Sequence, residues 1–152
     1  MKYEGMVHAL EEIRRLLKPG GSLIEIHPVL EAPLVKVYQG DRVWFSEPSP
    51  GYDYEEDMRQ AEAALAQVVQ RGLFVTERSG EFDFLVYASS VTELDDFMVK
   101  ASAFHDNPAD EAAAAREAEL AARVEEIMQA AGKGAQVAYH EKAHIARLRP
   151  VT

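Results

Sequence analysis

The most informative part of the chain is Glu11-Glu12-Ile13-Arg14-Arg15-Leu16-Leu17-Lys18-Pro19-Gly20-Gly21-Ser22-Leu23-Ile24-Glu25-Ile26-His27-Pro28. Apolar residues at helical spacing predict a helix over 6–17: Met6, Leu10, Ile13 and Leu17. Pro19 cannot continue that helix, and Gly20-Gly21 permit a tight reversal. The apolar run that follows predicts a buried strand over 22–28, which ends at Pro28.

This stretch resembles a known family. The pattern Glu12-Ile13-x-x-Leu16-Leu17-Lys18-Pro19-Gly20-Gly21-x-Leu23 is similar to the segment around the fifth strand of class I (Rossmann-like), S-adenosylmethionine-dependent methyltransferases. In that family the segment positions the sheet, and four strands and a glycine-rich cofactor loop come before it. The resemblance therefore implies the C-terminal half of such an enzyme.

Weaker similarities extend over most of the chain. Gly72-Leu73-Phe74, Glu81-Phe82-Asp83-Phe84 and Ser90-Val91-x-Glu93-Leu94 look like the sixth-strand region and the helix after it. Ile145-Ala146-Arg147-Leu148-Arg149-Pro150 looks like the final antiparallel strand.

The resemblance brings no cofactor site with it. No Gly-x-Gly-x-x-Gly occurs in the sequence, and Gly20-Gly21 precede a strand instead of joining a strand to a helix. We therefore expect S-adenosylmethionine to bind only if a missing N-terminal half completes the fold. The implied function is the substrate or lid side of a methyltransferase, without autonomous catalysis and without assigned catalytic residues. The alternative is a non-catalytic ligand-binding or dimerisation domain derived from that fold.

Composition limits the partners. The 152 residues predict one domain over 1–152, and 47% hydrophobic residues suffice for a folded core. A net charge of −10 disfavours nucleic acid and anionic membranes as partners. Cysteine is absent, which excludes disulfides and thiolate metal sites. No signal-peptide pattern or membrane-spanning run is found, so the expected location is the cytoplasm.

The predicted fold is α/β or α+β, with a mixed, largely antiparallel sheet and helices packed on it. The remaining predicted elements are a hairpin over 34–46, helices over 54–71, 91–104 and 109–131, strands over 73–88 as a pair around Ser79-Gly80, and a terminal strand pair over 136–149 around Glu141-Lys142-Ala143. In the hairpin, a Gly40-Asp41 turn predicts that Val35, Val37 and Trp44 share one face. Leu34, Tyr38, Val43 and Phe45 are then expected on the other.

Two groups of side chains are candidates for substrate binding. Glu25 and His27 share one face near the end of their strand, where ligands bind in open α/β sheets. The alternative for His27 is a partly exposed strand residue without a role. Tyr38, Trp44 and Phe45 could form an apolar wall, or could simply pack in the core and across the hairpin.

A metal site is not predicted. His140 and His144 flank the expected terminal turn and could approach each other. A site of two histidines needs further ligands, and no carboxylate is placed convincingly to supply one.

The strand over 22–28 is expected to have an open edge, because the strand that pairs with it in the complete fold is missing. An open apolar edge favours association. We therefore expect a homodimer that covers the edge near Leu23–Ile26, the hairpin or the first helix, or else a separate N-terminal half as the partner.

Overall fold

Four helices and five strands form in the residues that the computed structural model describes, which are 2–50, 54–101 and 110–152. In chain order they are α1 (Tyr3–Leu16), β1 (Leu23–Pro28), β2 (Leu34–Gln39), β3 (Arg42–Pro48), α2 (Glu55–Gln70), β4 (Phe74–Ala88), α3 (Val91–Ala101), α4 (Glu111–Ala131) and β5 (Ala135–Pro150). The strands belong to one antiparallel sheet with the order β1-β5-β2-β3, and β4 also pairs with β5. The predicted mixed fold with a largely antiparallel sheet is confirmed.

The chain folds as two compact units. Among the described residues, unit 1 contains 2–31, 54–83 and 142–152, and unit 2 contains 32–50, 84–101 and 110–141. The long strands β4 and β5 each contribute one part to each unit. The single domain over 1–152 stays a prediction.

In unit 1, helices α1 and α2 share an apolar core with the strands. The buried members of this core are Val7, Ala64, Val68, Phe74, Ala146 and Leu148. Arg14 ties α1 to the strand ends, because its guanidinium donates to the carbonyl oxygens of Leu73 at 3.1 Å and Val151 at 2.6 Å. The core therefore covers one face of β1 and β5.

Strand β1 runs antiparallel to the last part of β5, from Leu23 opposite Leu148 to Pro28 opposite Ala143. Side chains alternate between the two faces of a strand. Leu23 accordingly packs against the core of unit 1, whereas Ile24 and Ile26 point to the other face and are exposed. The polar residues Glu25 and His27 share the core-facing side with Leu23.

In unit 2, β2 and β3 form the predicted hairpin, with Gly40 at a φ of +58° in its two-residue turn. The predicted face of Phe45, opposite to that of Val37, was wrong. Tyr38 lies opposite Val43, but Val37 lies opposite Phe45, so Trp44 is an extra residue in a β-bulge. The bulge returns Phe45 to the face of Val37, and both Trp44 and Phe45 pack against the buried core of the unit.

Both predicted strand pairs are single long strands. In β4, Gly80 does not adopt a positive φ, so Ser79-Gly80 continue the strand instead of reversing it. In β5, Glu141-Lys142-Ala143 also stay extended. Neither strand folds back, because other strands supply the hydrogen-bond partners: β4 pairs with β5, and β5 also pairs with β1 through 143–148 and with β2 through 135–140. Turn signals depend on neighbouring residues and do not show which distant strand will pair.

Helices α3 and α4 belong to unit 2 and begin at capped ends. The hydroxyl of Ser90 accepts the backbone N–H of Glu93 at 3.1 Å, which is one of the two bonds of a capping box. Asp110 caps α4 through the N–H groups of Ala112 and Ala113. The predicted helix ends at 102–104 and 109 lie outside the described residues.

Candidate metal centre

Three ionisable side chains of unit 1 meet on the core-facing side of β1. Glu25 and His27 come from β1, two residues apart and therefore on the same face. His144 comes from β5 and lies directly opposite His27 in the strand register. Cross-strand neighbours have side chains on the same face, so the pairing of β1 with β5 brings the three groups together.

The Glu25 carboxylate is the centre of the cluster. Its Oε1 atom contacts Nδ1 of His27, and its Oε2 atom lies 3.5 Å from Nδ1 of His144. Ala146 is the residue directly opposite Glu25, and its small side chain leaves room for the carboxylate to reach diagonally to His144. The two imidazole rings lie with their centroids 5.1 Å apart and their planes tilted by 39°.

Two atoms of this cluster are buried and have no hydrogen-bond partner. They are Oε2 of Glu25 and Nδ1 of His144, which lie within ion-pair distance of each other at 3.5 Å but without hydrogen-bond geometry. Such an arrangement is unusual in a native protein and requires an explanation, for which a bound ion is one of the few possibilities.

His27 lies between two carboxylates. Its Nδ1 atom faces Glu25, and its Nε2 atom lies 3.4 Å from Oε1 of Glu62, which projects from α2. The hydrogen bond to Glu25 raises the pKa of His27, and the charges of Glu25 and Glu62 add to this effect, while burial opposes it. Only the protonated imidazole can donate from both nitrogens, and the raised pKa of His27 favours that form.

The donor set fits a divalent transition metal. One ligand atom from each of Glu25, His27 and His144 lies within 4.8 Å of the others. Tetrahedral zinc with bonds of about 2.0–2.1 Å to nitrogen and oxygen places its ligand atoms roughly 3.4 Å apart. The 3.5 Å between Glu25 Oε2 and His144 Nδ1 already matches one such edge. Imidazole and carboxylate are the ligands that zinc takes where cysteine is absent.

The sequence found two of these three residues. Glu25 and His27 were predicted to share a face, and they do. The sequence instead suggests that His144 approaches His140, with no carboxylate placed convincingly as a further ligand. His140 lies opposite Leu34 of β2, in unit 2. The missing information was the register of β1 on β5, which places His27 opposite His144 and cannot be derived from local pattern.

The predicted aromatic residues Tyr38, Trp44 and Phe45 all belong to unit 2. The Trp44 indole N–H donates to the side-chain oxygen of Gln39 at 3.1 Å. The Tyr38 ring lies 5.8 Å from that of Tyr87. A pocket of about 150 Å³ in this unit is lined by residues such as Leu94 and Tyr139, and none of the three predicted aromatic residues is among them. Contacts within unit 2 explain why these aromatic side chains are there. Their role in substrate binding stays a prediction.

Comparison of the chain with protein-family models, with curated proteins and with solved structures finds no match. Along residues 2–50, 54–101 and 110–152, none of the helices combines the length and the apolar character needed to cross a lipid bilayer.

Proposed function

We propose that unit 1 binds a divalent transition metal of the zinc class through Glu25, His27 and His144. The observation that supports this most directly is that two buried atoms, Oε2 of Glu25 and Nδ1 of His144, lie 3.5 Å apart and form no hydrogen bond. A metal ion placed between them satisfies both at once. The third ligand is Nδ1 of His27, which already faces the same carboxylate.

Metal binding at this position joins elements that are distant in sequence. Glu25 and His27 belong to β1, and His144 belongs to β5, more than a hundred residues further along the chain. An ion bound by the folded state and not by the unfolded chain stabilises the fold by mass action. The proposed role is therefore a metal-linked stabilisation of unit 1 with a site that is formed only when β1 and β5 pair.

The test is zinc binding by the full chain after removal of metal with a chelator. Competition with a chromophoric chelator measures the stoichiometry and the dissociation constant. We expect one ion per chain, and strongly reduced affinity in Glu25→Gln and His144→Gln. His8→Gln is the matched control, because His8 is an exposed histidine of the same unit on α1. Equal affinity in all four proteins, or no uptake by the wild type, contradicts the proposal.

A second candidate is the methyltransferase-related function that the resemblance implies. Its support is that strands form at the three segments assigned to the fifth, sixth and final strands of that family, namely β1, β4 and β5. The last of these is antiparallel to β1, as the resemblance requires. In this proposal the chain supplies the substrate or lid side, is cytoplasmic and holds no S-adenosylmethionine alone. Calorimetry with S-adenosylmethionine tests it, since tight binding by the pure chain is incompatible with a half lacking the cofactor loop.

A partner at the edge of β1 belongs to this second candidate. Among the described residues β1 pairs with β5 alone, so its other edge presents unpaired backbone groups. Ile24 and Ile26 are 54% and 58% exposed, although they lie on a strand. A second copy of the chain, or a separate N-terminal half, could pair with this edge.

A further inference from the structure

We propose that Glu62 is the positioning residue of the metal centre. In this proposal Glu62 does not bind the metal, but accepts a hydrogen bond from the far nitrogen of His27. It holds the imidazole ring in the orientation that aims Nδ1 at the ion. The inference rests on the proposed metal site and assigns a role to a fourth residue, which comes from α2.

The direction of the two nitrogens of His27 supports this role. Nδ1 faces Glu25, which is another residue of the cluster. Nε2 lies on the opposite side of the ring, 3.4 Å from Oε1 of Glu62. Because the two nitrogens of an imidazole point away from each other, one carboxylate cannot serve both the ion at Nδ1 and the proton at Nε2. Glu62 is therefore beyond the ligand shell.

With the metal on Nδ1, the other ring nitrogen of His27 carries the N–H group. A nitrogen that binds a metal ion has no proton of its own. The remaining proton is on Nε2, and it needs an acceptor. A histidine ligand usually donates this second N–H to a carboxylate, a carbonyl or water, which fixes its tautomer and raises its basicity. Glu62 is the carboxylate in that position.

Helix α2 is placed to hold Glu62 there. Ala64 and Val68, on the same helix, are buried in the core of unit 1. Glu62 itself is half-buried at the margin of that core, so its carboxylate reaches His27 from the helix surface. A substitution of Glu62 should therefore leave the packing of α2 intact.

The experiment compares zinc affinity in the wild type, Glu62→Gln, Glu62→Ala and Glu56→Gln, using the full chain. Loss of an outer carboxylate typically reduces metal affinity about 10- to 100-fold. We expect a loss in this range for Glu62→Ala and a smaller one for Glu62→Gln, which keeps an acceptor oxygen, with a stoichiometry of one ion in each. Glu56→Gln, an exposed site on the same helix, removes the same charge and should bind like the wild type.

Nuclear magnetic resonance of the histidine side chains shows which nitrogen of His27 carries the proton. A residue with a merely structural role would not change this result. In the zinc-loaded wild type we expect the His27 proton on Nε2 and the metal on Nδ1. The assignment is overturned if the metal is found on Nε2, or if Glu62→Ala binds zinc as tightly as the wild type. It is also overturned if Glu62→Gln loses stoichiometric binding as completely as Glu25→Gln does. These results differ from failure of the proposed function, in which the wild type takes up no zinc.

Discussion

His27 and His144 lie directly opposite each other in the antiparallel pair of β1 and β5, with their ring centroids 5.1 Å apart. Glu25 contacts both rings, one with each carboxylate oxygen. This relationship links the pairing of two distant strands to the formation of a metal site.

Zinc should stabilise the protein against unfolding. At a free zinc concentration about 100 times the dissociation constant, a ligand that binds only the folded state adds about 2.7 kcal/mol to the free energy of unfolding. Chemical unfolding with and without zinc measures this difference. In Glu25→Gln and His144→Gln the increment should largely disappear, whereas His8→Gln should keep it. The proposed site is wrong if zinc raises the free energy of unfolding of Glu25→Gln as much as that of the wild type.

The core of unit 1 should depend on Phe74 and not on Phe82. Phe74 is fully buried, whereas Phe82 on the same strand is exposed. Truncation of a buried phenylalanine to alanine typically costs about 3–5 kcal/mol, because apolar contacts are lost and a cavity remains. We expect Phe74→Ala to lose stability in this range in urea unfolding, and Phe82→Ala to lose much less. Similar losses for both variants are inconsistent with the observed orientation of β4.

The start of α3 should make stability depend on pH. The hydroxyl and the backbone N–H of Ser89 donate to the Glu93 carboxylate at 2.6 Å and 2.8 Å, and these bonds lower the pKa of Glu93. A carboxyl whose pKa is lower in the folded state stabilises the protein above its unfolded-state pKa, about 4.3 for glutamate. This contribution is lost as the pH falls through the lower pKa of the folded state.

The measurement is the free energy of unfolding of wild type and Glu93→Ala from pH 7 down to pH 3. The wild type should be the more stable protein at pH 7, and the difference should shrink on acidification. Ser89→Ala removes the hydroxyl that donates to the Glu93 carboxylate and should reproduce part of the effect. A difference that grows as the pH falls has the wrong sign for this mechanism.

The exposed edge of β1 should be the site of self-association if the chain forms a homodimer. Sedimentation at micromolar concentration should then show a dimer for the wild type. Ile26→Lys places a charge on the edge strand, which is a common means of blocking strand pairing, and should shift the protein to a monomer. Val43→Lys, at an exposed position of β3, should remain a dimer. A wild type that sediments as a monomer contradicts the proposed homodimer.

The lengths of β4 and β5 could not be predicted from the sequence. The hairpin turn at Gly40-Asp41 was identified because a glycine-first pair between two β-rich runs is a local signal. The pair Ser79-Gly80 looked equally plausible as a turn, yet Gly80 is extended within β4. β4 pairs with β5, which lies far along the chain from Gly80. No residue near Gly80 reports that distant partner.

The candidate site divides in the same way. Strand alternation alone places Glu25 and His27 on one face, and this could be predicted from two residues of separation. The contribution of His144 depends on the register between β1 and β5, and that of Glu62 depends on how α2 packs. A shift of the register by one residue turns His144 to the opposite face of the sheet.

By itself, the sequence determined the elements that have local causes: the helices from their apolar period, the strand after Gly20-Gly21 from its short apolar run, and the shared face of Glu25 and His27. Only the tertiary structure decided which strands pair, and therefore that His27 meets His144 across β1 and β5. The physical reason is that turn and helix signals act over a few residues, whereas a strand register is selected by core packing and by backbone groups far apart along the chain. A metal site built across that register exists only in the folded chain.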